Sequence, residues 1–342
     1  MKLTQVCKIL EINPIPDADR IEKVRVLGWD CVVQKGLHNV GDLVLFIFPD
    51  TLVPKKFLDS TYEGDEKVRL KTIKMRGQFS AGLILPMMEV KKTLGWDTLY
   101  PSEGDDLAEL LGIEKYEKPM PAQLAGSING HFPRHIIEKT DEDNYRSNPD
   151  ALTELRNLGD EPLVATIKAD GSSGTFLVDP SDGVFKVCSR NYELKKDVTN
   201  SFWKVAEQFK IEGAIRESGK NLAIQGELVG EGVQGNPMGF KGLNLLVFLI
   251  KDLDTGRWFS WDETVDFCLK NRINVVDEVL CVKASELPDS DQLQEMANKL
   301  KYNNGRPAEG MVIRPMKPIP SLVLGKFWLS LKVISQPYDQ KN

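Results

Sequence analysis

Val164-Ala165-Thr166-Ile167-Lys168-Ala169-Asp170-Gly171-Ser172-Ser173-Gly174 decides how the rest of the chain is read. Its apolar, β-branched first half predicts a strand over 163–167 that delivers a lysine at its end. An acid follows two residues later, and Gly171 and Gly174 let the backbone turn closely around a ligand. A lysine near its reference pKa of about 10.4 is protonated at neutral pH and attacks poorly. Burial or a neighbouring cation frees the amine, which makes Lys168 the candidate nucleophile. Taken alone, the same residues also describe an ordinary hairpin with Lys168 in solvent.

Outward from this stretch the pattern predicts further strands over 222–225, 245–250 and 311–314. Helices are expected over 201–209, with Thr199-Asn200 as caps, and over 264–270 and 293–300. No regular βαβ rhythm connects them, so the class is α+β with antiparallel sheets. Up to about residue 115 the chain reads as short strands with turn punctuation, the spacing of a small β-barrel. A stretch rich in Pro, Gly and Glu follows. The expected division is a barrel domain over 1–115, a linker over 116–130 and a second domain over 131–342.

The chain has 342 residues, 41% hydrophobic and 27% charged, enough for two cores, and a net charge of -6. It is no polycation, so nucleic acid would have to meet local patches. Two stretches qualify, 67–88 and 310–338, because neither contains an Asp or Glu. In the first, alternation puts Lys67, Arg69 and Lys71 on one strand face, and after a slip at Thr72-Ile73 it resumes with Lys74 and Arg76. A solvated strand face explains that pattern equally well. Five cysteines without a CxxC pair argue for reduced thiols. His131 and His135 are four apart, but Phe132-Pro133 breaks the helix that would align them on a metal. With no long apolar run and no apolar leader, no membrane partner and a cytoplasmic location are expected.

An ordered set follows the lysine: Cys188-Ser189-Arg190-Asn191, Ile224-Gln225-Gly226-Glu227-Leu228-Val229-Gly230, Val247-Phe248-Leu249-Ile250-Lys251-Asp252, Glu309-Gly310-Met311-Val312-Ile313-Arg314 and Leu329-Ser330-Leu331-Lys332-Val333-Ile334-Ser335. In order and spacing the series resembles motifs I, Ia, III, IIIa, IV and V of the covalent nucleotidyltransferases, the ATP-dependent ligases and messenger-RNA capping enzymes. The front of the chain adds Pro14-Ile15-Pro16-Asp17-Ala18-Asp19-Arg20-Ile21-Glu22, Val26-Leu27-Gly28-Trp29, Val40-Gly41-Asp42 and Arg76-Gly77-Gln78-Phe79-Ser80-Ala81-Gly82-Leu83. These look like the N-terminal oligonucleotide-binding (OB) fold of one ATP-dependent RNA ligase group, and the likeness covers almost the whole chain.

The resemblance implies an OB-type β-barrel followed by an antiparallel-sheet nucleotidyltransferase domain unlike ATP-grasp. Lys168 would attack the α-phosphorus of ATP. Asp170, Glu227 and Glu309 would hold Mg²⁺ or Mn²⁺, largely through its water shell. Phe248 matches the aromatic that stacks on adenine, although by its place in an apolar run it also reads as core. Gly171 would let the backbone approach the nucleotide, backbone atoms around Thr166 and Ile167 would meet the adenine edge, and Arg190 and Lys332 would contact phosphate. The partner would be RNA, as a nicked duplex or free ends, or an RNA/DNA hybrid, bound by a monomer through Lys67, Arg69, Lys71, Lys74 and Arg76.

Two departures stand out. Ser330 occupies the place of one of two phosphate-binding lysines, which leaves Lys326 as the candidate to compensate. After Lys139-Thr140-Asp141-Glu142 the next Arg, Arg146, comes later than the group's pattern, and it is the candidate RNA contact there. The alternatives are a DNA ligase, a capping-type guanylyltransferase, or a non-catalytic RNA-binding homologue. Ser173 stands where many DNA ligases carry Arg, and only ten residues follow Lys332, with the β-rich module in front.

Overall fold

Alternate residues of 21–26 are buried, with Glu22, Val24 and Val26 inward, the pleat of a strand lying on a core. The computed structural model describes residues 2–58, 62, 64–95, 101–116 and 127–339. In chain order, the first half contains β1 (Thr4–Pro14), β2 (Ile21–Val26), β3 (Trp29–Gln34), β4 (Leu43–Ile47), β5 (Thr51–Pro54), β6 (Lys67–Arg69), β7 (Ile73–Met75), β8 (Gln78–Ser80), β9 (Leu83–Pro86), α1 (Met87–Leu94), α2 (Ala108–Leu111) and β10 (Glu114–Lys115). There follow β11 (Ile128–His131), β12 (Asp143–Asn144), α3 (Pro149–Arg156), β13 (Pro162–Ile167), β14 (Ser172–Val178), β15 (Phe185–Ser189), β16 (Tyr192–Leu194), α4 (Ser201–Gln208) and α5 (Ile211–Glu217). The last are β17 (Leu222–Gly230), β18 (Leu243–Asp252), α6 (Trp261–Asn271), β19 (Asn274–Val275), β20 (Glu278–Lys283), α7 (Ser290–Lys299), β21 (Gly310–Pro315), β22 (Leu331–Ile334) and α8 (Gln336–Asp339).

The chain divides into two units, neither continuous in sequence. The first takes 1–119 with 143–149 and 336–342; the second takes 120–142 and 150–335. Two short segments expected in a domain over 131–342 therefore belong to the first unit. Composition cannot show this, because a segment's unit is set by what it packs on. Gly28 explains one case: it donates to the Arg146 carbonyl at 3.0 Å, and a Cβ there would come within 2.8 Å of the Arg146 Cα. Of the expected linker, 117–126 lies outside the described residues, and Ile128–His131 is a strand of the second unit.

In the first unit β3-β2-β1-β4-β9 form one sheet, in which the long β1 pairs β4 through Thr4–Lys8 and β2 beyond a register shift between Ile9 and Glu11. That bulge curves the sheet as a barrel wall requires. Val6, Leu45 and Ile47 pack in one cluster, while Cys7, Val44, Phe46 and Trp29 pack in another. The alternation over 67–77 is interrupted where expected: β6 joins β5 and β10, whereas β7 and β8 form a separate hairpin. Arg76 and Gly77 make its two-residue turn at φ 46° and 82°.

The second unit holds two sheets, β11-β16-β15-β14-β17-β18-β19 and one that includes β22-β21-β13-β20. Pairing is antiparallel throughout, apart from β18 with β19. The three expected helices are α4, α6 and α7, and their starts are chemical. Asn200 accepts from the Phe202 and Trp203 N–H groups, while Ser260 with Glu263 and Asp289 with Gln292 form capping boxes. Phe202, Val205 and Ile211 cover one face of the larger sheet with Phe176, Ile224 and Val247. Between the sheets lies a second cluster, with Val164 and Ala169 from one side and Val229 and Leu246 from the other. Cys7, Cys31, Cys188 and Cys268 are buried free thiols, and Cys281 is an exposed one.

The β14–β15 turn depends on Asp179. Burial opposes its charge, but Lys186 and Ser181 bond the carboxylate and lower it from 3.8 to about 2. With the folded value depressed, this stabilisation is present above about 3.8 and is lost as pH falls through that value towards 2. Asp179→Ala removes the buried partner of Lys186, leaving it only the longer contact to Asp182 at 3.7 Å, and is expected to destabilise the second unit by about 2 kcal/mol. Urea unfolding at pH 7 and pH 3 checks this, since the wild-type advantage should shrink at the lower pH.

Candidate active site

The site is built where β13 ends. Ile167 pairs with Met311, and the next residue, Lys168, donates its N–H to the Gly310 carbonyl at 2.9 Å. That register brings Lys168 beside Glu309, whose Oε1 lies 2.8 Å from Nζ, with side chains 26% and 19% exposed. The amine is mostly desolvated yet reachable. Burial pushes the ammonium down, but Glu309, Glu227 and Asp170 outweigh it and hold Lys168 above its ordinary value. The expectation that burial frees the amine is corrected by this geometry. Without substrate Lys168 is an ion-paired ammonium, because acids close around it.

Tyr302, which the sequence reading did not single out, locks this pair. Its hydroxyl donates to the Lys168 carbonyl at 3.1 Å and accepts from the Glu309 N–H at 3.0 Å, and the residue is buried. One side chain thus fixes the backbones that carry both partners. Tyr302→Phe keeps the ring and removes both bonds. A tenfold slower covalent step, with ATP affinity unchanged, is the expected order, about that of a small misplacement. Single-turnover rates against ATP concentration check the split.

The opposite wall comes from the larger sheet. Glu227 pairs across from Ser173 and accepts from the Gly171 N–H. Gly171 is required there, since a Cβ would sit 2.1 Å from the Leu228 carbonyl oxygen. Burial, with Glu309 and Asp170 nearby, raises Glu227 to about 8 despite Lys168. Three carboxyl groups around one ammonium leave a deficit of positive charge. Among the described residues no three His, Cys, Asp or Glu converge as a direct metal cage. The oxygen donors of Asp170, Glu227 and Glu309 suit a hard divalent ion that keeps its water shell.

Phe248 is half-buried and, like Ile167, packs against the cluster between the sheets. Its carbonyl accepts from the buried Arg314 at 2.8 Å, whose guanidinium lies between the Trp261 and Trp328 rings. Thr166 is buried in the centre of its sheet, and the Ile167 N–H is already given to the Asp277 carbonyl at 2.8 Å. The sheet's own hydrogen bonding thus takes up that one N–H. Lys332 lies opposite Val312, which lies opposite Thr166, so it shares the strand face leading to the site.

Ser330, the departure from the lysine pattern, is buried with its hydroxyl unpartnered among the described residues. Lys326 donates to the Asp141 carbonyl at 2.6 Å, and the Asp141 carboxylate pairs with Arg190 at 2.6 Å. Asp141 and Arg190 edge a polar cleft lined also by Lys139, Ser173, Thr175 and Gln225, where Ser173 is the cross-strand partner of Glu227.

The candidate RNA contacts of the first unit fare unevenly. Lys67 pairs with Glu114 at 2.6 Å, and Arg69 pairs with Asp50 at 2.6 Å while stacking on Tyr116. The acid-free stretch in sequence is thus not acid-free in space, because β5 and β10 bring carboxylates to it. Lys71 is exposed, as are Lys74, beside the Phe79 ring, and Arg76 at the hairpin tip. Arg146 is 6% exposed, bonded to the Tyr145 hydroxyl and packed over Trp29. It packs within the first unit.

Comparison with known proteins fits this geometry. A search of curated proteins finds no match. An OB-fold domain model matches residues 3–87, and the RNA ligase model matches 161–333. Among solved structures, Naegleria gruberi RNA ligase mutants with AMP and Mn and with ATP and Mn each match at TM-score 0.85 and 30% identity, over 100% of this chain and 99% of theirs. The same ligase with PPi matches at TM-score 0.83 and 30% identity, over the same shares of the two chains. An OB-fold domain in front, the lysine–glutamate pair between two sheets behind, and a family match over half the chain agree: this chain belongs to the RNA ligase family.

Proposed function

We propose that the chain is an ATP-dependent RNA ligase that joins 3′-OH and 5′-phosphate ends, at nicks with RNA on the 3′-OH side, through a lysyl-adenylate on Lys168. The observation that carries the reading is the Lys168–Glu309 pair at 2.8 Å, reachable at the end of β13 and faced by Glu227. The Naegleria enzyme's structures with ATP, AMP and PPi lend it support, since these are the substrate and products of such chemistry.

Lys168 loses its ammonium proton and its lone pair attacks the α-phosphorus; an N–P bond forms, and the bond to the β-phosphate oxygen breaks to release pyrophosphate. Glu309 aligns the amine beforehand. Phe248 offers a ring face to the adenine, and Gly171 lets the ribose approach the backbone. Asp170, Glu227 and Glu309 would hold Mg²⁺ or Mn²⁺ through water, where it supplies positive charge against the phosphates. The AMP then passes to the 5′-phosphate of the RNA, and the 3′-OH attacks that phosphorus and expels AMP. Arg190, Lys326 and Lys332 are the proposed phosphate contacts, and Lys71, Lys74 and Arg76 the contacts of the first unit. The protein is taken to act as a monomer, in the cytoplasm.

Nick sealing on duplexes with RNA or DNA on each side tests the reading. Sealing that requires ribonucleotides on the 3′-OH side supports it; equal use of an all-DNA nick would make the protein a DNA ligase.

A further inference from the structure

The turn between β21 and β22 holds large apolar side chains out in water. Leu322 is 92% exposed, Phe327 70% and Val323 49%, whereas the adjoining Trp328 is 9% exposed and packs on Trp258. The turn itself is firmly built. Ser321 donates to Glu154, the Leu322 N–H donates to the same carboxylate at 2.7 Å, and the Ser321 N–H bonds to the Lys326 carbonyl at 2.9 Å. Apolar groups fixed in solvent mark a contact surface.

The surroundings say which partner. The segment 310–338 contains no acid of its own and carries Lys317 and Lys326 beside the apolar tip; Glu154 and Asp141 meet it from other elements, but Asp141 is already paired with Arg190, so among these residues the cations outnumber the acids and suit a polyanion. Lys326 ties the turn to Asp141, Asp141 binds Arg190, and Arg190 edges the cleft whose Ser173 faces Glu227 across the strand pair. The turn is thereby tied, through Asp141 and Arg190, to the cleft whose wall carries the cross-strand partner of Glu227. We propose that Phe327, supported by Leu322, is a stacking platform for an unstacked base of the RNA beside the ends being joined. This rests on the RNA ligase reading and adds a base contact to its phosphate contacts. A ring face stacks on any base, so the contact would give affinity without sequence preference.

The test measures binding of a labelled, 5′-phosphorylated nicked RNA duplex by fluorescence anisotropy without ATP, for wild type, Phe327→Ala, Phe327→Leu and Phe327→Trp. Phe327→Ala should bind about 10-fold more weakly, Phe327→Trp should recover the loss and Phe327→Leu should not. Lysyl-adenylate formation with ATP alone should be unchanged in all three, which shows that the fold and the site are intact. Unaltered affinity of Phe327→Ala, or full recovery by Phe327→Leu, overturns the stacking role. A change in sedimentation on Phe327→Ala with RNA affinity unaltered overturns it too and gives the patch to a second copy of the chain. RNA affinity is read apart from adenylation, so a wild type that binds RNA through Phe327 without labelling would sink the ligase reading and leave this one standing.

Discussion

Lys168→Ala is expected to abolish ATP-driven joining, by about 10⁴-fold or more, the scale on which covalent enzymes suffer when their nucleophile is deleted. The same variant should still join RNA whose 5′-phosphate has been adenylylated chemically. Lys168 takes part in forming the activated end; once AMP is on the RNA, the attacking group is the 3′-OH. Single-turnover gel assays with 5′-phosphate RNA plus ATP, and with pre-adenylylated RNA, separate the steps. Equal loss on both substrates would mean that Lys168 serves positioning or folding.

Glu309→Gln should carry the second large effect, and its pH dependence has a definite sign. Burial lowers the Lys168 pKa, while Glu309 is the leading cause that raises it, so neutralising Glu309 lets burial count for more. The neutral amine is the attacking form, so the adenylation rate climbs with pH up to the Lys168 pKa. In Glu309→Gln that rising limb should move to lower pH. At its plateau the variant should remain about 10²–10³-fold slow, the usual loss when a preorganised charge is removed from a phosphoryl-transfer site. Quench-flow adenylation rates between pH 6 and about 10 test this. A limb that stays in place, or moves to higher pH, would show that Glu309 does not govern the lysine's proton.

Much of this site is local in sequence and could be read there. β13 shows its β-branched run and delivers Lys168, and the cap at Asn200 announces its helix, whereas the capping boxes at Ser260 and Asp289 start α6 and α7 at Trp261 and Ser290, ahead of the expected starts at 264 and 293. What escaped is set by partners far away. Nothing in Lys301-Tyr302-Asn303-Asn304-Gly305 marks Tyr302, because its function follows from two backbones brought to it by folding. Arg69 looked like a displayed cation until the fold set Asp50 against it, and nothing beside Arg146 in the chain announces that it packs over Trp29. Lys168 shows the same limit on electrostatics: the sequence announces a buried lysine, but only the convergence of Glu309 and Glu227 decides the direction in which its proton affinity moves. Nothing local marks Leu322 and Phe327 as exposed; the bonds from Ser321 and Leu322 to Glu154, distant in sequence, build the turn that holds them out.

The most direct measurement is incubation of the protein with α-labelled ATP and a divalent cation, followed by acid precipitation and mapping of the label by peptide mass spectrometry. The account predicts one acid-stable adenylyl group, on the peptide containing Lys168, absent from Lys168→Ala and discharged by added 5′-phosphate RNA. No label on the wild type, or undiminished label on Lys168→Ala, would contradict it.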